Sequence, residues 1–318
     1  MYHYFKIYIL LILVFFGKIS LLAQVPSEFS EQCSKNLQNG EYSSALTSIN
    51  KALEIDSLNA NYLLLKATSY YYLGKYDDAV KYCYATLKID PEKIPAFFLR
   101  GQICLVTGSY GGSAFFFRKV IDFSKDEKMR CKAYINRAKV NIKLGKFNEA
   151  NSDLIEANEI TKDSLEVLLL LSETYYKLNQ YDEAFVLLEK IQLLHPNCGD
   201  TYKMMGEIAF TKQDFAKSLS YYNKYLEVNT KDAYVLNIVS EIYYKNKDYN
   251  NALTYIYKAI HLESTESNFY KTLALIDLEK GENEEVCNNL FHAFQLGYLE
   301  KYGYDILDLY VKHCESKH

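Results

Sequence analysis

The sequence predicts an all-α solenoid of about eight helix–turn–helix units closed by a C-terminal helix. Three observations predict it. First, a short phrase recurs: Gly40-Glu41-Tyr42-Ser43-Ser44-Ala45 returns as Gly74-Lys75-Tyr76-Asp77-Asp78-Ala79, and again from Gly108, Gly145, Asn179, Gln213, Lys247 and Gly281. Second, its starting points lie 34 residues apart, except for one step of 37 between Gly108 and Gly145. Similarity at a fixed period marks a repeat array, in which each unit buries its apolar face only by stacking on the next. Third, the stretches on either side of the phrase carry apolar residues at helical spacing. In the fifth unit Leu168 to Leu178 and Ala184 to Ile191 are two such stretches, joined by a short turn at Asn179-Gln180. Composition agrees, since only 4 of the 318 residues are Pro and 13 are Gly, which suits an ordered, mostly helical chain.

Residues 1–23 stand outside the array. Lys6 precedes an unbroken apolar run from Ile7 to Phe16, Gly17 breaks it, and Leu21-Leu22-Ala23 ends on a small residue. This order reads as a secretory signal peptide cut after Ala23. The run is shorter than the roughly 20 residues of a membrane span, and Lys18 interrupts its extension; a retained membrane anchor is the alternative. No Cys follows the run directly, so a lipoprotein signal is not supported. The expected location is exported, periplasmic or secreted, with membrane association only through this segment.

Seven Cys follow it, an odd number with no C-x-x-C spacing. That argues against a zinc knuckle or a redox motif and leaves at least one thiol unpaired. Most are expected to act as small apolar fillers. Cys83 and Cys104, on successive helices at core positions, are the first pair to consider for a bridge.

Units counted from 14 residues before the phrase start at Pro26, Ala60, Ile94, Cys131, Leu165, Gly199, Ala233 and Ser267, and the array runs over residues 26–298. Aligned this way, the eighth column reads Cys33, Ala67, Gly101, Ala138, Ser172, Gly206, Ser240, Ala274. The twentieth reads Ala45, Ala79, Ser113, Ala150, Ala184, Ser218, Ala252, Val286. Small residues at one place on each helix let two axes approach closely. Column 17 is aromatic from Tyr42 to Tyr249 and departs only at Asn283.

These columns resemble the tetratricopeptide-repeat family, whose unit is a 34-residue helix pair with small residues at columns 8 and 20, an aromatic near 17, alanine near 27 and proline near 32. Column 27 keeps Ala52, Ala157, Ala259 and Ala293 but holds Thr86, Val120, Ile191 and Tyr225 elsewhere, and column 32 keeps only Pro91 and Pro196. The resemblance covers about residues 26 to 300 and implies a right-handed superhelix whose first helices line a concave side.

Three details stand out. The long step places extra chain at Ser124 to Arg130, as a loop, a longer helix or a hinge. Column 7 is Lys66, Arg100 and Arg137 in units 2 to 4, where the family prefers an apolar residue. Column 23 offers Asp153 in unit 4, which predicts a buried Arg137–Asp153 pair, and Tyr82 and Phe116 in units 2 and 3, where the cation is expected to lie on a ring. Gly111-Gly112 weakens a helix start, and of Phe115 to Phe117 one ring is expected to be exposed. Residues 299–318 read as a capping helix and tail. From Tyr304 to Cys314 its packed stripe is Leu307, Tyr310, Val311 and Cys314.

No phosphate-binding loop, H-E-x-x-H or G-x-S-x-G motif is present, and the six His are scattered, so no catalytic residue, metal ligand or cofactor is expected. A formal charge of −4 gives no basic face for nucleic acid. The candidate site is therefore a surface. By resemblance the concave face binds extended peptides or helical segments, and columns 2, 5, 9 and 12 supply it. Units 2 and 3 give Leu64, Thr68, Tyr71, Phe98, Gln102 and Leu105; unit 4 gives Lys132 and Lys139; units 5 to 7 give Glu173, Asp200, Lys203, Glu207, Asn237 and Glu241. Apolar anchors would sit in the N-terminal half, and an acidic ladder at Glu173, Glu207 and Glu241 would take basic side chains. The alternative is that these Glu are simply exposed helix formers. The Lys, Asn and Arg set that chaperone-binding members use is not present at Leu64, Thr68, Phe98 and Gln102. The expected function is an exported, non-enzymatic scaffold for a protein or peptide partner, with no small-molecule substrate. A structural subunit that oligomerises through its convex or end surfaces is the alternative.

Overall fold

The computed structural model describes residues 25–314; the proposed signal peptide lies outside them. Among the described residues every regular element is a helix. By clustering of contacts the chain forms two compact units, one up to Leu178 and the other from Asn179. The first holds α1 (25–38), α2 (Tyr42–Ile55), α3 (Ala60–Tyr72), α4 (Tyr76–Ile89), α5 (Ile94–Val106), α6 (Tyr110–Phe123), α7 (Glu127–Lys143), α8 (Phe147–Thr161) and α9 (Leu165–Lys177). The second holds α10 (Tyr181–Leu194), α11 (Gly199–Thr211), α12 (Phe215–Val228), α13 (Ala233–Lys245), α14 (Tyr249–Leu262), α15 (Ser267–Lys280), α16 (Asn283–Gln295), α17 (Tyr298–Tyr302) and α18 (Leu307–Cys314).

Within each unit, consecutive helices pack as antiparallel pairs. The recurring phrase is the turn of each pair. Its first residue takes the left-handed conformation, φ 72° at Gly74, and the next amide bonds back into the first helix, as Lys75 N–H does to the Tyr70 carbonyl at 2.9 Å. Asn179, Gln213 and Lys247 take the same conformation without being glycine, a local cost of about 1 kcal/mol each.

Both small columns are buried in full. The reason for their size variation lies in a third column, 24, on the second helix. An added Cβ on Gly101 would lie 2.7 Å from the Phe117 ring, and one on Gly206 would lie 2.8 Å from the Tyr222 ring. Where column 8 is Ala or Ser, column 24 is aliphatic or Cys: Leu154 accompanies Ala138, and Leu290 shares a core cluster with Ala274. Serine at column 20 ties the same crossing by a hydrogen bond, Ser113 Oγ donating to the Gly101 carbonyl at 2.8 Å and Ser218 Oγ to that of Gly206 at 2.9 Å.

The long step is a longer helix. α7 has 17 residues against 13 for α5 and α9. Asp126 caps it by accepting the Lys128 N–H at 2.9 Å, so the extra residues add a turn.

The cysteine expectation is corrected. Cys83 and Cys104 are both free, and the disulfide joins Cys287 to Cys314. Cys83 occupies column 24, beneath Ala67, whereas Cys104 faces the start of α6 beside Gly112; the two point into different contacts. The C-terminal cap is corrected as well. It is two short helices, α17 and α18, and Ile306 in the link between them is the buried anchor. Leu307 and Val311, expected inside, are exposed.

Candidate functional site

In the first unit, α3, α5 and α7 lie side by side as first helices of successive repeats. Leu64, Thr68 and Tyr71 on α3 and Phe98, Gln102 and Leu105 on α5 are all partly buried. Their inner parts serve packing. Phe98 meets Phe117 edge-on at 5.5 Å, Tyr71 meets the column 17 ring of Tyr76 at 6.0 Å, and Thr68 Oγ1 bonds its own helix at the Leu64 carbonyl. Their outer parts remain accessible, and neither α3 nor α5 carries a carboxylate. Lys132 on α7 is exposed, while Lys139 pairs with Glu166 at 2.6 Å. Glu173, partly buried on α9, belongs to this unit.

The column 7 cations each find the partner the sequence predicts. Lys66 Nζ lies 4.4 Å from the Tyr82 ring centre, and the Arg100 guanidinium 4.8 Å from that of Phe116. Arg137 holds Asp153 through two bonds, Nε at 2.9 Å and Nη2 at 2.5 Å. Burial pushes the Asp153 carboxyl up, and the guanidinium bonds work against that rise. Of the three phenylalanines Phe117 is buried, Phe116 is partly buried and Phe115 is exposed.

In the second unit the predicted residues are drawn into internal bonds. Lys203 pairs with Asp232 at 2.8 Å, and Asp232 also accepts from Tyr225 at 2.9 Å. Asn237 is only 3% exposed, so it is no part of an open surface. Its amide donates to Glu241 at 3.0 Å, and Thr272 donates to the same oxygen at 3.3 Å. Asp200 is exposed and Glu207 partly buried. Both stand near enough to Tyr225 to raise its hydroxyl, after burial and Asp232.

Sequence reasoning missed two carboxylates that organise this unit. Glu266, at the N-cap of α15, accepts from Tyr234 at 2.7 Å, Lys301 at 2.5 Å, Tyr302 at 2.8 Å and the Asn268 N–H at 3.3 Å. It thereby pins α17 to α13 and α15. Burial alone would raise its carboxyl, but these donors outweigh it and hold it down at about 2. Its contribution is present above the ordinary glutamate range and is lost as pH falls towards that value. The available signal was an acid at column 34, at Asp232 and again at Glu266.

Asp277 on α15 is the opposite case. It is buried with one donor, the Asn289 amide at 2.8 Å. Burial pushes its carboxyl up to about 6, Glu282 and Glu285 add to this, and Lys280 opposes it. A raised folded value means stability present at low pH and lost as pH rises from about 4 through 6. Asp277→Asn is expected to stabilise the second unit by about 1–3 kcal/mol at pH 7 and by almost nothing near pH 4. Denaturant midpoints at the two pH values check this, and an equal gain at both would refute it.

Among the described residues no group of three or more His, Cys, Asp or Glu is placed to hold a metal ion, and no helix is long and apolar enough to cross a membrane.

Profiles of the tetratricopeptide-repeat family match residues 36–94 and 141–208. The chain is a tetratricopeptide-repeat protein. A TPR repeat-containing protein of Methanocaldococcus jannaschii is 26% identical over 279 residues, covering 82% of this chain and 48% of its own length. The Hsp70-Hsp90 organizing protein 1 of Glycine max is 23% identical over 225 residues, covering 71% of this chain and 33% of its own. This chain thus spans half or less of both relatives. Among solved structures, the C-terminal part of a TPR repeat-containing protein from Cytophaga hutchinsonii superposes with a TM-score of 0.62 at 21% identity, over 76% of this chain and 98% of that one. That likeness is one of fold. Tetratricopeptide arrays are scaffolds for contacts between proteins, and this chain has that architecture.

Proposed function

We propose that the protein is an exported, non-enzymatic scaffold that binds an extended or helical segment of another protein along the first helices of its N-terminal repeats. The observation that carries this reading is the strip of Leu64, Tyr71, Phe98 and Leu105. These side chains are packed at their inner ends, so they are rigid, and a ligand would gain apolar contact without having to order them. Thr68 and Gln102 stand among them as polar groups to orient a peptide. The carboxylates of the second unit are less suited to a ladder for basic ligands, because Glu241 is already bonded by Asn237 and Thr272. Export rests on the apolar run Ile7 to Phe16 and is supported by the Cys287–Cys314 bridge, since disulfides persist in oxidising compartments.

The relative from Glycine max is named for organising Hsp70 and Hsp90. This chain lacks the charged set described above for chaperone tails, so its ligand is expected to be apolar in character. A photoreactive side chain placed at Gln102 should capture one discrete protein from the exported fraction, and Leu105→Asp should abolish the capture. The control is the same probe at Tyr84, an exposed residue of the second helix α4. Equal capture from both positions would sink the proposal.

A further inference from the structure

One side of α6 is built from residues smaller than the array requires. Column 21 carries Leu46, Val80, Phe185, Leu219 and Leu253 in five units but Ala114 in the third. Column 18, one turn earlier, holds Gly111. Its neighbour Gly112 has a packing reason, since an added Cβ would lie 3.0 Å from Ser109 Oγ and 3.3 Å from Cys104 Sγ. Gly111 has none: a Cβ there would meet nothing within 4 Å, and its backbone is not left-handed. Glycine weakens a helix relative to alanine, so neither packing nor backbone accounts for it. Gly111 and Ala114 both line a cavity of about 530 Å³ formed by α6, α7 and α8, all in the first unit. That volume lies within the range of about 300–1,000 Å³ usual for sites that hold small molecules or single side chains.

The other lining residues give the cavity a chemistry. Phe115, 45% exposed, and Leu144, 41% exposed, are its apolar walls. The Phe115 ring is steadied edge-on by Phe116 at 5.3 Å. Arg137, also in the lining, is already matched, with Nε and Nη2 bonded to Asp153. Among the described lining residues that leaves two cations, Arg118 and Lys146, against one carboxylate, Glu149. One net positive charge beside exposed aromatic and aliphatic side chains suits a monoanion joined to an apolar group. A guanidinium such as that of Arg118 can give two parallel N–H bonds to a carboxylate.

We propose that this cavity is a binding site for a carboxylate attached to an apolar side chain of about leucine or phenylalanine size, with Arg118 and Lys146 holding the carboxylate and Phe115 and Leu144 the apolar group. A free carboxylic acid and the C-terminal residue of a polypeptide both present that chemistry. Gly111 and Ala114 serve the site by leaving room for the ligand where a larger residue would fill it. The strip on α3 and α5 shares none of these residues, so either proposal can fail without the other.

NMR titration of the full chain with N-acetyl-phenylalanine should show saturable binding with a Kd of about 1 mM or below, and the corresponding amide should bind about tenfold more weakly or worse. Arg118→Gln should remove most of the preference for the acid over the amide. Gly111→Glu, which sets a carboxylate in the open space, should weaken the acid about tenfold or more. Both positions are exposed, so the thermal midpoint should not fall with either change. Ala114→Leu, which restores the side chain of the other units, should weaken acid and amide alike. A tripeptide ending in phenylalanine that binds more tightly than the acid assigns the site to a protein C-terminus, and equal binding assigns it to a free acid. Absence of saturable binding up to about 20 mM acid would overturn the proposal, as would equal binding of acid and amide, or binding indifferent to Arg118→Gln and Gly111→Glu.

Discussion

Arg137→Ala should destabilise the first unit by about 3–5 kcal/mol, because it strands a charge. Asp153 is buried and loses both charge-assisted bonds at once. The Asn141 amide, at 3.4 Å, is too distant to replace them. The comparison within column 7 makes the point specific. Lys66 and Arg100 lie on the rings of Tyr82 and Phe116. Replacing either leaves an apolar surface behind it, which costs about 1 kcal/mol. One column therefore holds three cations with unequal consequences, decided by what stands opposite. The double change Arg137→Met with Asp153→Leu should recover most of the loss, since it removes the carboxylate along with its partner. Urea unfolding followed by circular dichroism measures all four variants. A loss for Arg137→Ala no larger than that for Lys66→Ala would mean that Asp153 is solvated.

The second large effect is expected at Tyr222. Its ring is fully buried against Gly206, which has no side chain to move into the space. Tyr222→Ala should cost about 3–5 kcal/mol, the upper part of the range for aromatic truncations. Gly206→Ala should cost about 1–3 kcal/mol by the opposite error, overpacking a methyl group into the ring. Combining Gly206→Ala with Tyr222→Leu reproduces the Ala274 and Leu290 pairing of the eighth repeat and should be much milder than either single change. If the double variant lost the sum of the two, the sizes of the columns would not be coupled.

The array was legible because its determinants are local and periodic. The turn phrase, the small columns and the cation opposite Asp153 each need only residues fewer than 20 positions apart. The C-terminal end was less legible for the same reason. Nothing periodic distinguishes Ile306 from Leu307: of the expected stripe Tyr310 and Cys314 pack on the core, while Leu307 and Val311 are exposed and Ile306 is buried instead. The disulfide and the Glu266 cluster join residues 27 to 36 positions apart. Tyr234, Lys301 and Tyr302 look like ordinary exposed residues until the fold brings them to one carboxylate. The candidate face was legible as a set of columns. What the sequence could not convey was which of its charges were already engaged, as Lys139, Lys203 and Glu241 are.

The pairing of column 8 with column 24 also bears on how such an array can be inherited. Each match of small with large is made inside one helix pair. A crossover at the turn would join the Gly101 helix to a leucine-bearing partner and leave a void. The reciprocal product would drive a Phe117-type ring into an alanine. A crossover in the linker between pairs carries both halves together and disturbs neither. Whole repeats are therefore the exchangeable unit of this protein, although the recurring phrase that makes the repeat visible sits in the middle of that unit.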